Sequence, residues 1–167
     1  MKTNWNTKSW DEAMRLFKKF YPNSYFSHPE EINLDSIYLF MKISDQSLER
    51  KLYDESKDSV SCFKEILGKS LAQEHNKRVL IFPDIGCSLE EPFICASNRF
   101  FERIEEGRKR LAHPKEMEFI DGCSDILIIF EHSKKMILID HEGGYIIVNP
   151  NKKEQSDGAN PDKSTAS

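Results

Sequence analysis

DILIIFEHSKKMILIDHEGGYIIV, residues Asp125–Val148, is the stretch on which the fold turns. It holds β-rich runs at Asp125–Phe130, Met136–Asp140 and Tyr145–Val148. They are separated by His132-Ser133-Lys134-Lys135 and by His141-Glu142-Gly143-Gly144. Connections this short join antiparallel neighbours, so the segment is predicted to be a three-stranded meander. Ile126-Leu127-Ile128-Ile129 is apolar at successive positions, hence on both faces of a strand. Such a strand belongs at the centre of a sheet, covered by helices. Gly143-Gly144 lacks the G-x-x-x-x-G-K-[ST] setting of a phosphate loop and does not open a helix, so it reads as a hairpin turn.

Working outward from the meander, Val79–Phe82 reads as a short buried strand closed by Pro83-Asp84-Ile85-Gly86. Pro92–Ala96 is a second short strand, and Arg99–Leu111 a charged helix with Phe100, Phe101 and Ile104 on its apolar face. Val60, Phe63, Ile66, Leu67 and Leu71 form one stripe of a longer helix from about Lys57 to Glu74, ended by Asn76. Gly68 inside that helix costs roughly 1 kcal/mol against Ala, which suggests a close packing contact. Ser44 or Asp45 is placed to cap a short helix through Leu48, Leu52 and Tyr53. Pro29-Glu30-Glu31 resembles a first helical turn; the apolar run Ile37–Met41 that follows fits helix or buried strand by periodicity, and Ile37–Ile43 is read as a strand. At the N-terminal end, Ser9-Trp10-Asp11-Glu12 fits a capping box. Trp10, Ala13, Met14, Phe17, Phe20 and Tyr21 then recur at helical spacing up to Pro22.

Helices come first and the meander last. The expected fold class is therefore α+β: N-terminal helices packed on a mainly antiparallel sheet ending in the three-stranded C-terminal meander. Residues 1–150 are expected to form a single domain. The polar composition after Pro150 predicts a disordered tail over residues 151–167.

A chain of 167 residues with 38% apolar content and 11 Phe can bury a core without staples. Its net charge of -4 disfavours non-specific binding to nucleic acid and suits a basic protein partner. Cys62, Cys87, Cys95 and Cys123 make neither a CxxC motif nor zinc-finger spacing with histidine, so they are read as free thiols of a reducing cytoplasm. The first residues lack the apolar stretch of a signal peptide, and no window reaches the roughly 20 apolar residues of a membrane span. A cytoplasmic protein without metal or cofactor is expected.

Chemistry-bearing residues are few. His132 and His141 sit near Asp125, Glu131, Asp140 and Glu142, a composition that suits a metal or acid–base site. They flank the run Met136–Asp140, however, and five residues of strand span about 17 Å, too far to share one ion. Cys123 with a histidine and an aspartate would make a nucleophile–base–orienter set, but its own setting reads as a turn. Arg108-Lys109-Arg110 is interleaved with Glu102, Glu105 and Glu106, which cancel its field. Asp84, Glu90 and Glu91 lie in a Pro- and Gly-bearing loop beside Phe93. Carboxylates around an aromatic anchor suit a cationic cleft, so Asp84, Glu90, Glu91 and Phe93 form the candidate partner-binding site. The reading is a non-catalytic binding protein; the alternatives are an enzyme using Cys123 or the histidines, or a general ligand-binding module.

In size, mild acidity and element order, from Trp10 to Val148, the chain resembles the immunity proteins of bacterial toxin–immunity systems, including those of contact-dependent growth inhibition. The resemblance rests on no motif and carries over no residue. It implies a small cytoplasmic α+β protein that neutralises a cognate toxin domain by covering its active site.

Overall fold

The computed structural model describes residues 7–44, 48–54, 56–57, 59–83, 85, 91–104 and 125–149. Its helices are α1 (Thr7–Phe20), α2 (Leu34–Ser44) and α3 (Ser59–Gln73), with α4 starting at residue 100 and described to 104. The strands are β1 (Arg50–Leu52), β2 (Arg78–Phe82), β3 (Phe93–Ala96), β4 (Ile126–Phe130), β5 (Met136–Ile139) and β6 (Gly144–Val148). They form one six-stranded sheet of order β1-β6-β5-β4-β2-β3. Every pairing is antiparallel, and the class is α+β, with the expected meander as β4-β5-β6.

All five residues of β4 are buried. Side chains alternate across a strand, so burying all of them requires cover on both faces. Leu127 and Ile129 join Leu80, Phe82, Met136, Leu138, Ile146 and Val148 in a core beneath α1 and α2. Ile126, Ile128 and Phe130 join Val79, Ile81, Ile137 and Ile139 in a second core with Phe63, Leu67 and Leu71 of α3 and Phe100 and Ile104 of α4. The arrangement is helices, sheet, helices.

The first core is aromatic, and Phe17 is its centre. Its ring lies 5.5 Å from Tyr21, 5.3 Å from Phe26, 6.0 Å from Phe40 and 6.4 Å from Phe82, each in a tilted or edge-on geometry. These are the distances and angles that aromatic quadrupoles favour. One fully buried ring thereby ties α1 to the segment before α2, to α2 itself and to the sheet.

The run Ile37–Ile43, expected as a strand, is helical. Its start is capped reciprocally: the Ser36 amide donates to Asn33 Oδ1 (3.0 Å) and the Asn33 amide to Ser36 Oγ (3.1 Å). Such a cap satisfies backbone donors that an isolated helix end leaves open. Ile37, Phe40 and Met41 then point into the core at i, i+3 and i+4. Pro29–Glu31 forms a separate 3₁₀ turn. The Glu31 carboxylate accepts the amides of Ser27 (2.5 Å) and His28 (3.0 Å) there, which holds it below the ordinary carboxylate range.

Three further expectations change. Helix α1 begins at Thr7 rather than behind Ser9, because a local capping signature is worth only about 1 kcal/mol and does not fix a terminus. Arg50–Leu52 is an edge strand on β6 and not part of a helix. Its pairing is held from a distance, by Tyr53 N–H to Gly143 O (3.1 Å) and by the Arg50 fork on Asp140. Gly68 makes no close contact: a Cβ there would meet nothing within 4 Å.

At the far end of α3 the chain turns through His75 and Asn76, both in the left-handed region (φ 50° and 63°). Glu74 is fully buried there. Its carboxylate accepts the amides of His132 (2.7 Å) and Ser133 (3.1 Å), pinning the β4–β5 turn to α3. A buried carboxylate is tolerable only with such partners. Arg78 forks onto Glu131 beside it, and that hydrogen bond holds the Glu131 carboxyl down at about 2.

Two substitutions test this account by equilibrium urea unfolding. Phe17→Ala should lose about 3–5 kcal/mol through the cavity it leaves. Gly68→Ala, with open space and helical backbone, should gain up to about 1 kcal/mol.

Candidate functional site

Helix α2 is apolar on both sides, and only one side faces the core. Asp35, Tyr38, Leu39, Lys42 and Ile43 lie on the exposed side. Their i, i+3, i+4, i+7, i+8 spacing puts them on one face of the helix. Tyr38 is 43%, Leu39 53% and Ile43 62% exposed. Tyr25, 50% exposed, stands beside them: its hydroxyl donates to Ser36 O (2.9 Å) and its ring lies 4.4 Å from Phe26 and 6.2 Å from Phe40. Among the described residues, four of the five exposed large hydrophobics thus belong to α2 or to Tyr25 packed against it; the fifth is Leu52. Grouped apolar exposure of this kind marks interaction surfaces, whereas single exposed apolar residues carry no message. Asp35 and Lys42 bracket the stripe, and neither has an ion-pair partner among the described residues.

Of the loop assigned to partner binding, Asp84 and Glu90 lie outside the described residues. Glu91 is exposed, just ahead of β3. Phe93 opens β3 opposite Ile81 and packs, half-buried, against the second core. The basic run Arg108-Lys109-Arg110, Cys87 and Cys123 also lie outside the described residues.

The histidines fall at opposite ends of β5, as expected. The His132 ring meets the His75 ring edge-on at 5.6 Å. At the other end, the register Ile126↔Ile139 brings Asp125, just before β4, against His141, just after β5. Asp125 is buried and accepts both the backbone amide of His141 (3.0 Å) and its ring Nδ1 (2.9 Å) on one oxygen. This hydrogen bond, reinforced by the carboxylate's charge, raises the His141 pKa above its ordinary value. Asp125 is a positioning group for the ring, which keeps its proton on Nδ1 and leaves Nε2 as the basic nitrogen. In the adjoining turn, Asp140 accepts the amides of Glu142 (3.0 Å) and Gly144 (2.9 Å). Burial works to raise the Asp140 carboxyl, but the Arg50 guanidinium and the Gly144 amide outweigh it and hold it low. Gly143, at φ 83°, takes the turn position that favours glycine, which confirms the hairpin reading.

Neither described cysteine has the setting of a nucleophile. Cys62 is buried, with its Sγ 3.3 Å from Asp54 O. Burial pushes the Cys95 thiol up to about 11, so it is un-ionised near neutrality. Among the described residues, no group of three His, Cys, Asp or Glu side chains is placed to hold a metal ion. No helix of the described residues is long and apolar enough to cross a membrane.

Comparison with known proteins gives no match to a family model, to a curated protein or to a solved structure.

The His141–Asp125 pair yields a pH prediction. The folded-state pKa is raised, so the pair's contribution is complete below the ordinary value of about 6.5 and is lost as pH rises through the folded pKa. The stability lost in His141→Ala should therefore be larger at acid pH than at alkaline pH. A His141 ring titration by NMR with its midpoint at or below the ordinary value would contradict the assignment.

Proposed function

We propose that this chain is a non-catalytic binding protein, an immunity-type inhibitor that neutralises a bacterial toxin domain in the cytoplasm by covering its active site. The observation that carries the reading is the exposed apolar stripe on α2. An inhibitor that acts by occlusion needs a surface that gains free energy when another protein removes it from water. Tyr38, Leu39 and Ile43, extended by Tyr25, provide one on a helix whose opposite face is locked into an aromatic core. A rigid helix face of this spacing suits a groove on a partner, read by anchors at i, i+3, i+4 and i+7. The chain's net charge of -4 favours a basic partner. Asp84, Glu90 and Glu91 with Phe93 remain the sequence's own candidate for partner binding, although Phe93 packs half-buried on the second core, across the sheet from α2.

The test is co-expression with the protein encoded immediately upstream. Co-elution on size exclusion together with rescue of cells from that protein's toxicity is the expected result. Leu39→Asp combined with Ile43→Asp should weaken binding at least roughly tenfold, since central anchors commonly cost more than 1 kcal/mol each. Separate elution without rescue contradicts the reading. If Asp84, Glu90 and Glu91 changed together to Lys abolish binding while the α2 variant binds normally, the interface lies at the loop instead.

A second reading, an enzyme with His141 as general base, is favoured by the buried Asp125 that orients its ring. His141→Ala separates the two: it leaves toxin neutralisation unchanged under the first reading and abolishes turnover under the second.

A further inference from the structure

The outer face of α2 reads the same from either end. Asp35 stands as far before the Tyr38–Leu39 midpoint as Lys42 stands after it. Turned antiparallel on itself, the helix sets Asp35 against Lys42 at both ends and the Tyr38–Leu39 pair against its own copy in the middle. A parallel pairing would set Asp35 against Asp35 and Lys42 against Lys42, so the charges select the antiparallel arrangement. Both charges are exposed and lack an ion-pair partner among the described residues, so they are available for the pairing.

We propose that this face is a two-fold interface at which a second copy of the chain packs α2 antiparallel on α2. An isologous contact of this kind needs a self-complementary surface, and the stripe is one in the order of its charges about a central apolar pair. An 11-residue helix is about 16 Å long. Even with Tyr25 at its side, such a contact falls below the 1,200–2,000 Å² or so of a standard stable interface. The dimer is therefore weak and concentration-dependent. It rests on the same stripe as the inhibitor reading, and it adds that a second copy and the partner compete for that stripe: association covers the apolar face while no partner is bound.

Sedimentation velocity of the full chain alone, over a wide concentration series, tests the proposal without any partner. The wild-type protein should pass from monomer to dimer as concentration rises. Lys42→Asp sets like charges opposite each other at both ends of the contact and should raise the dissociation constant roughly tenfold or more. The exchanged pair Asp35→Lys with Lys42→Asp keeps opposite charges facing and should restore it to near the wild-type value. Both changes are on exposed positions, and circular dichroism checks that each protein is folded. A wild-type chain that stays monomeric at every concentration overturns the proposal, as does dimerisation indifferent to Lys42→Asp. Rescue from the upstream protein's toxicity, scored on the same variants, reports separately on the inhibitor reading.

Discussion

Five consecutive buried side chains on β4 impose cover on both faces of the sheet, and the rest of the architecture follows from that demand. Ile128 is paired on one side with Ile137 and on the other with Ile81, so the most apolar strand is also flanked by apolar strands. Burying a side chain of this size is worth about 1.5–3 kcal/mol relative to leaving it in water, and exposing one face of such a strand would forfeit several of these contributions. Helices α1 and α2 close one face; α3 and the start of α4 close the other. Polar groups appear at the strand ends, where Glu74, Glu131, Asp125 and Asp140 each satisfy backbone amides of the turns or of a strand's first residue.

The same demand explains why α2 carries the candidate site. Its inner face must supply Ile37, Phe40 and Met41 to the aromatic core around Phe17. With that face fixed, any further apolar residues have to lie outside, and Tyr38, Leu39 and Ile43 do. Nothing in the packing of the described core calls for them there. Their cost in exposed apolar surface is offset only when another surface covers them, either a partner or a second copy of the chain.

The meander, β2, β3, α1 and α3 were legible because each has a clear period and a clear stop. Helix α2 was not, because apolar residues on both of its faces erase the 3.6-residue contrast, and the run Ile37–Met41 then looks like a buried strand. The reciprocal cap of Asn33 and Ser36 was the available signal. Strand β1 has only three residues and exists through its pairing with β6, which no local pattern announces. Asp125 and His141 were both noticed, but as members of a scattered set. What joins them is the register Ile126↔Ile139, which sets Asp125 opposite Asp140 and so beside His141. The apolar stripe escaped notice for the same reason as the helix that bears it: reading the run as a strand assigned its outer residues to the core.

The central claim is that α2 presents its outer face to a partner protein. It is tested most directly by methyl NMR of the chain titrated with the protein encoded upstream, at a concentration low enough to keep the chain monomeric. The account predicts that the methyl signals of Leu39 and Ile43 shift or broaden, while those of Ile81, Ile128 and Ile137 in the second core stay in place. A stable complex that leaves Leu39 and Ile43 unperturbed would contradict it.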